Sequence, residues 1–168
     1  MLIRSVVIED AWQIADIYNH YILTSHATFE LESIDTLEMG ERIRNVIDGG
    51  FPFLVMDEND DISGYAYVHA FRPRPAYRKT VEISVYIKDG HFGRGVAGRL
   101  YESLIPRVLD AGYHSIIAGI ALPNDASVQL HEKFGFEKIG HFREVGRKFD
   151  RWFDVGFWQL SSKMTGHE

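Results

Sequence analysis

The segment His91-Phe92-Gly93-Arg94-Gly95-Val96-Ala97-Gly98 is the stretch whose residue types say most about chemistry. Glycines let the backbone turn its N–H groups inward and let a ligand approach closely. Ahead of a helix, such N–H groups favour a pyrophosphate. A flexible loop whose glycines only permit tight turns explains the same letters equally well. Upstream lies Glu82, a carboxylate able to take a proton from an amine. Taken alone, it fits a solvated strand position better. Arg72 and Arg74 stand in a proline-rich run, where their guanidinium forks could read a carboxylate or phosphinate, or simply face solvent. Asn124 and His131 are seven residues apart, about two helical turns, and so share a helix face. A histidine there could give up a proton near neutral pH, or could pack on Phe134 and Phe136.

Other phosphate loops fit less well. A Walker-type loop ends in Gly-Lys followed by Ser or Thr, and this one does not. Gly93-x-Gly95-x-x-Gly98 matches the dinucleotide fingerprint. However, several residues separate it from a strand ending near Ile87, and the acidic residue expected about twenty positions on is Ala118. The chain has no cysteine, which removes disulfides, thiolate zinc sites and a cysteine nucleophile together. Its eight histidines show no His-x-x-x-His or Glu-paired spacing, so no metal is expected.

The bulk properties narrow the class. A chain of 168 residues, 45% hydrophobic and 25% charged, suits one folded domain rather than disorder. A net charge of -6 argues against nucleic acid as a partner, because phosphate backbones demand a basic field. Met1 to Glu9 carries one basic residue and no long apolar run, unlike a signal peptide. Ile116 to Leu122 is too short to cross a bilayer, so no membrane partner is expected. The lack of cysteine fits a reducing cytoplasm.

These residues must be positioned by alternating strands and helices. Leu2 to Ile8 reads as a strand, and Ala11 to Leu23 as a helix with apolar Ile14, Ile17, Tyr18, Tyr21 and Ile22. Asp35 with Glu38 forms a capping box for a helix running to Asp48. Phe53 to Met56 and Ile62 to Phe71 form a hairpin, followed by a loop over Arg72 to Tyr77. Thr80 to Lys88 alternates cleanly, with Val81, Ile83, Val85 and Ile87 on one side and Glu82, Ser84 and Tyr86 on the other. The glycine loop feeds a helix with the stripe Val96, Leu100, Leu104, Val108. His114 to Ala121 is a strand, and Asn124 or Asp125 caps a helix to Phe134. Phe136 to Phe142 and Trp152 to Leu160 are the last strands. Between them, Val145 to Phe149 could close a pocket or form a hairpin turn. Trp152, Phe153, Phe157 and Trp158 read as core or interface aromatics. The order predicts a mixed α/β domain.

Taken together, several segments carry a resemblance. They are Ile17-Tyr18-Asn19-His20-Tyr21, Arg72-Pro73-Arg74-Pro75-Ala76-Tyr77, Thr80-Val81-Glu82, Val85-Tyr86-Ile87, Gly93 to Gly98, Leu122 to Phe136, and Asp154-Val155-Gly156-Phe157-Trp158-Gln159. The chain resembles the GNAT superfamily of N-acetyltransferases, and within it the phosphinothricin and methionine sulfoximine acetyltransferase group. The likeness runs from Ile3 to Leu160. It departs at Phe92-Gly93, where the superfamily commonly has Gln-Arg, but Gly95 and Ala97 are kept.

The resemblance implies an acyl-CoA N-acyltransferase fold, a mixed sheet of six to seven strands with flanking helices. It implies acetyl-CoA as cosubstrate, held at its pyrophosphate by Gly93, Arg94, Gly95, Val96, Ala97 and Gly98 and along its pantetheine arm by Val85, Tyr86 and Ile87. Asn124 and Ser127 would also touch the cofactor, Glu82 would be the general base, and His131 stands where many members carry a tyrosine that protonates the departing thiolate. Arg72, Arg74 and Tyr77 would hold the acid group of a small amino-acid-like amine, across a homodimer interface, and Phe29 would wall the acceptor pocket. The domain would span 1–163, with 164–168 a tail. Two alternatives remain. One is acetylation of a protein N-terminus or a polyamine, although a polyamine site should be lined by acids. The other is a CoA-binding module without turnover, which would need no base at Glu82.

Overall fold

The computed structural model describes residues 1–165, so the last part of the expected tail, 166–168, lies outside the described residues. The elements run β1 (Leu2–Ser5), α1 (Ala11–Thr24), α2 (Thr36–Asp48), β2 (Phe53–Asp57), β3 (Ile62–Ala70), β4 (Thr80–Ile87), α3 (Val96–Asp110), β5 (Ser115–Leu122), α4 (Asp125–Lys133), β6 (Glu137–Lys148), β7 (Arg151–Ser161) and a short α5 (Ser162–Thr165). One seven-stranded sheet has the order β1-β2-β3-β4-β5-β7-β6. Its pairings are antiparallel except β4 with β5, which is parallel.

Local signals set most of the boundaries. The Asp35 side chain accepts from the Glu38 N–H at 2.8 Å, a cap of about 1 kcal/mol. The first strand is shorter than its apolar letters predict. Asp10 draws the chain into a turn by accepting from Val7 N–H at 2.9 Å and from both terminal nitrogens of Arg4. The sixth strand is longer than predicted and runs to Lys148, with bulges at Lys138/Gly140 and Phe142/Gly146. The tight turn therefore falls at Phe149-Asp150, both in the left-handed region, and Val145 to Lys148 belong to strand.

The sheet separates two apolar layers. One joins α3 to the face bearing Val81, Ile83, Ile116 and Ile120; the other joins α1 and α2 to the face bearing Val55 and Tyr65. The stripe Val96, Leu100, Leu104, Val108 is wholly buried, as its spacing predicts. Glu82, Ser84 and Tyr86 face the α1 side. The hydrogen bonds from Lys88 N–H to Ser63 O and from Phe71 N–H to Thr80 O show that even-numbered β4 residues bond to β3. Ile83, Val85 and Ile87 therefore turn their amides toward β5. Registered pairing with β5 ends at Glu82↔Ile117, so the two strands part beyond it.

Candidate active site

The glycine loop forms an open cradle. Gly93 and Gly95 adopt φ of 74° and 77°, which a side-chain-bearing residue seldom tolerates. A Cβ added at Gly93 or Gly98 would meet nothing within 4 Å. Gly95 is the N-cap of α3 and, having no side chain, offers none of its own to the first N–H groups of the helix. Arg99, one turn into α3 and outside the glycine motif, brings its guanidinium within 3.9 Å of the Cβ position of Gly95 and donates to Arg94 O at 3.1 Å. Arg94 itself leans on Glu58 at 3.7 Å. An open concavity of N–H groups beside cations fits a diphosphate.

From this cradle a cavity of about 520 Å³ runs along the parting of β4 and β5. Its wall includes Val85, Tyr86 and Ile87, the loop residues Gly93, Gly95, Val96, Ala97 and Gly98, and, from α4, Asn124, Ser127 and His131. On the α1 side it reaches Tyr21, Ala27 and Gly119. Glu82 adjoins that end, since its Oε1 lies 3.4 Å from where a Cβ on Gly119 would stand. Gly119 is thus the opening beside the carboxylate. The neighbouring hydroxyls of Tyr65 and Tyr86 are held protonated by burial, and that of Tyr67 is pushed up to about 12.

Tyr21 does something its apolar-stripe position did not announce. Its hydroxyl donates to Ile87 O at 2.9 Å and accepts from Ile87 N–H at 3.1 Å, occupying both groups that β4 turns toward β5 at that residue. Val85 is left as the residue whose main chain faces the cavity.

His131 is buried, with Nδ1 donating to Ser127 O at 2.7 Å. That fixes the neutral tautomer, so Nε2 accepts from the Tyr101 hydroxyl at 2.9 Å. Burial lowers the His131 pKa and raises that of Tyr101, which also lines the cavity. The expected charged imidazolium is therefore disfavoured at neutral pH, and Tyr101 carries the proton between them. Tyr101 lies beside Leu100 and off the four-residue stripe, which is why the period alone did not reveal it.

The other expected residues do not converge on the cavity. Arg72, Arg74 and Tyr77 lie on the exposed loop before β4, with Arg72 over the Phe71 ring at 5.0 Å. Phe29 packs against Gly146 and Phe153 instead of lining the wall. Among the described residues no group of three metal-ligating side chains occurs, and no helix is long and apolar enough to cross a membrane.

Comparison with known proteins fits this geometry. The Acetyltransferase (GNAT) domain model matches residues 3–156. A phosphinothricin N-acetyltransferase of Streptomyces coelicolor is 39% identical, covering 94% of each chain. An L-methionine sulfoximine/L-methionine sulfone acetyltransferase of Salmonella typhimurium is 37% identical over 95% of this chain and 94% of its own. Among solved structures, a phosphinothricin acetyltransferase from Sinorhizobium meliloti in complex with acetyl-CoA superposes with a TM-score of 0.92. It is 35% identical, covering 95% of this chain and 87% of that one. With a GNAT model spanning nearly its whole length, relatives at this identity and a cradle-and-cleft geometry to match, the chain belongs to the GNAT family of acetyl-CoA-dependent N-acetyltransferases.

Proposed function

We propose that this enzyme transfers an acetyl group from acetyl-CoA to the α-amino group of a small amino-acid-like substrate of the phosphinothricin, methionine sulfoximine or methionine sulfone type. The observation that carries the reading is one continuous cavity leading from the glycine cradle to Gly119 beside the Glu82 carboxylate. The names of the relatives supply the substrate class.

The chain's own residues take distinct parts. Main-chain amides of Gly93 to Gly98, with Arg94 and Arg99 nearby, suit the diphosphate. The Val85 main chain offers strand-like pairing to the pantetheine arm, flanked by Tyr86 and Ile87, and Asn124 and Ser127 close the other side. Acetyl-CoA supplies the activated acetyl group. A free amino-acid amine is mostly protonated at neutral pH, so Glu82 takes up that proton, directly or through a water. With no cysteine in the chain, transfer goes directly to the amine. The departing sulfur takes its proton from the Tyr101 hydroxyl, which turns from His131 Nε2 toward the cavity to give it and is reprotonated from solvent afterwards; His131 orients the phenol. Arg72, Arg74 and Tyr77 read the substrate's acid group from a neighbouring copy in a homodimer, which accounts for their exposure in the single chain. Phe29 backs the acceptor side. The catalytic unit is the single domain 1–163, and its location is the cytoplasm.

The test is mass spectrometry of acetyl-CoA incubated with candidate amino acids, followed by kinetics of Glu82→Gln. That variant is expected to lose about 10²–10⁴-fold in kcat/KM while binding CoA normally. Full kcat/KM across pH would remove Glu82 as the base. CoA binding without any acetylated small amine would instead favour a non-catalytic module.

A further inference from the structure

Lys148, near the hairpin turn, is only 3% exposed. Its ammonium donates to three main-chain carbonyls: Ser25 at 2.7 Å, Thr28 at 2.8 Å and Tyr21 at 3.5 Å. It joins none of the ion pairs formed among the described residues. Burial pushes the Lys148 pKa down; Glu30 is the carboxylate whose field favours the ammonium, but the two form no ion pair. An apolar side chain of similar length would fill this volume without that desolvation cost. What the ammonium adds is direction. It gathers a carbonyl from the last turn of α1, that of Ser25, which caps the helix, and one three residues further on, closing the negative end of that helix.

The fastened segment borders the cavity. Ala27 lines it on the α1 side, the end where Glu82 meets Gly119. The same segment is held from other directions. Thr28 Oγ1 bonds the Tyr18 hydroxyl at 2.8 Å. His26 stacks on Phe153 at 4.4 Å and donates to Pro123 O at 2.7 Å. Phe29 presses on Gly146 so closely that a Cβ there would stand 2.2 Å from its ring.

We infer that Lys148 is a positioning residue for the amine acceptor, fixing the segment from Ser25 to Thr28 so that Ala27 stands as a rigid wall at the cavity's α1 end. This rests on the reading that the acceptor enters on that side. Lys148 touches no reacting atom; it acts through the wall. Binding of acetyl-CoA at the glycine cradle does not depend on it, because the cradle lies at the other end of the cavity.

The test uses the full chain and two readouts. Lys148→Met keeps the chain length and removes the donors. Its KM for the amino-acid acceptor is expected to rise roughly ten- to a hundredfold, the scale of losing charged hydrogen bonds, with KM for acetyl-CoA unchanged. Lys148→Arg should recover part of that loss. Independently of any turnover, hydrogen exchange of the ligand-free protein should show faster exchange at residues 25–30 in Lys148→Met than in wild type, with β2 and β3 unaltered. If wild type acetylates nothing, the functional reading falls while the exchange result still decides the wall. A lower Tm with both KM values unchanged, or equal exchange at 25–30, would overturn the inference. Should Lys148→Met fail to fold, the same two readouts are taken on Lys148→Arg, whose bulkier head cannot reproduce all three carbonyl contacts. It is expected to raise the acceptor KM alone and to speed exchange at residues 25–30, and wild-type values of both would sink the proposal.

Discussion

Strand β5 has two edges that behave differently. Toward β7 it is registered from Ser115↔Ser161 to Leu122↔Asp154, eight pairs without a break. Toward β4 only Thr80, Val81 and Glu82 are registered. Unpaired buried amides are costly, so the second edge must be served by something else. At Ile87 the Tyr21 hydroxyl serves both groups; at Val85 no strand faces the main chain, and the residue lines the cavity. The contrast teaches how a continuous sheet makes a cleft without losing its core. One ladder is left unfinished, a side chain closes its far end, and a glycine on the facing strand keeps the space open.

The open edge of β5 is most easily closed at Gly119. A Cβ there would lie 3.3 Å from Phe157 and 3.4 Å from Glu82 Oε1, and no left-handed backbone resists substitution. Gly119→Val should cut kcat/KM about a hundredfold, since an ångström-scale displacement near the reacting groups can cost that much. Thermal unfolding should change little, and a normal kcat/KM would show that the gap beside Glu82 is not used. Next in size is Tyr21→Phe, which strips both partners from Ile87. It should cost about 1–3 kcal/mol of stability, read as a drop in Tm. Acetyl-CoA KM should also shift, because the edge beyond Val85 is no longer closed. An unchanged Tm would mean that the parted strands do not need the plug. The mildest effect concerns pH. His131 is neutral in the fold because burial lowers its pKa below 6.5. Below pH 6.5 the unfolded chain therefore binds a proton that the folded chain refuses, and stability falls as pH falls. Tm measured from pH 7 to 5 should decline less steeply in His131→Gln, and identical slopes would refute this.

Much of the fold could be read locally. The Asp35 cap, the α3 stripe, the β4 alternation and the glycine loop each depend on residues within a few positions of one another, and all stand where their letters placed them. Where the reading missed, a distant partner decided. β1 ends early because Asp10 captures Arg4, which Asp57 also accepts from. The turn after β6 moved because β7 stays in register to Arg151. Around the cavity, the glycine loop and the strand bearing Glu82 could be read from the sequence, whereas the contacts of Tyr21, Tyr101, Gly119 and Lys148 could not. Tyr21 looked like one more helix-stripe aromatic, and only the approach of Ile87, 66 residues away, gives its hydroxyl a task.

The sequence alone determined the elements, the glycine cradle before α3, the absence of a thiol nucleophile and the likeness to an acetyltransferase family. Backbone conformation, capping and periodicity are short-range properties, and composition is not a matter of geometry at all. Tertiary structure decided where β4 leaves β5, which proton His131 keeps, and that Lys148 is buried against the end of α1. Those outcomes depend on desolvation and on hydrogen bonds between residues up to 127 positions apart, which no local pattern encodes.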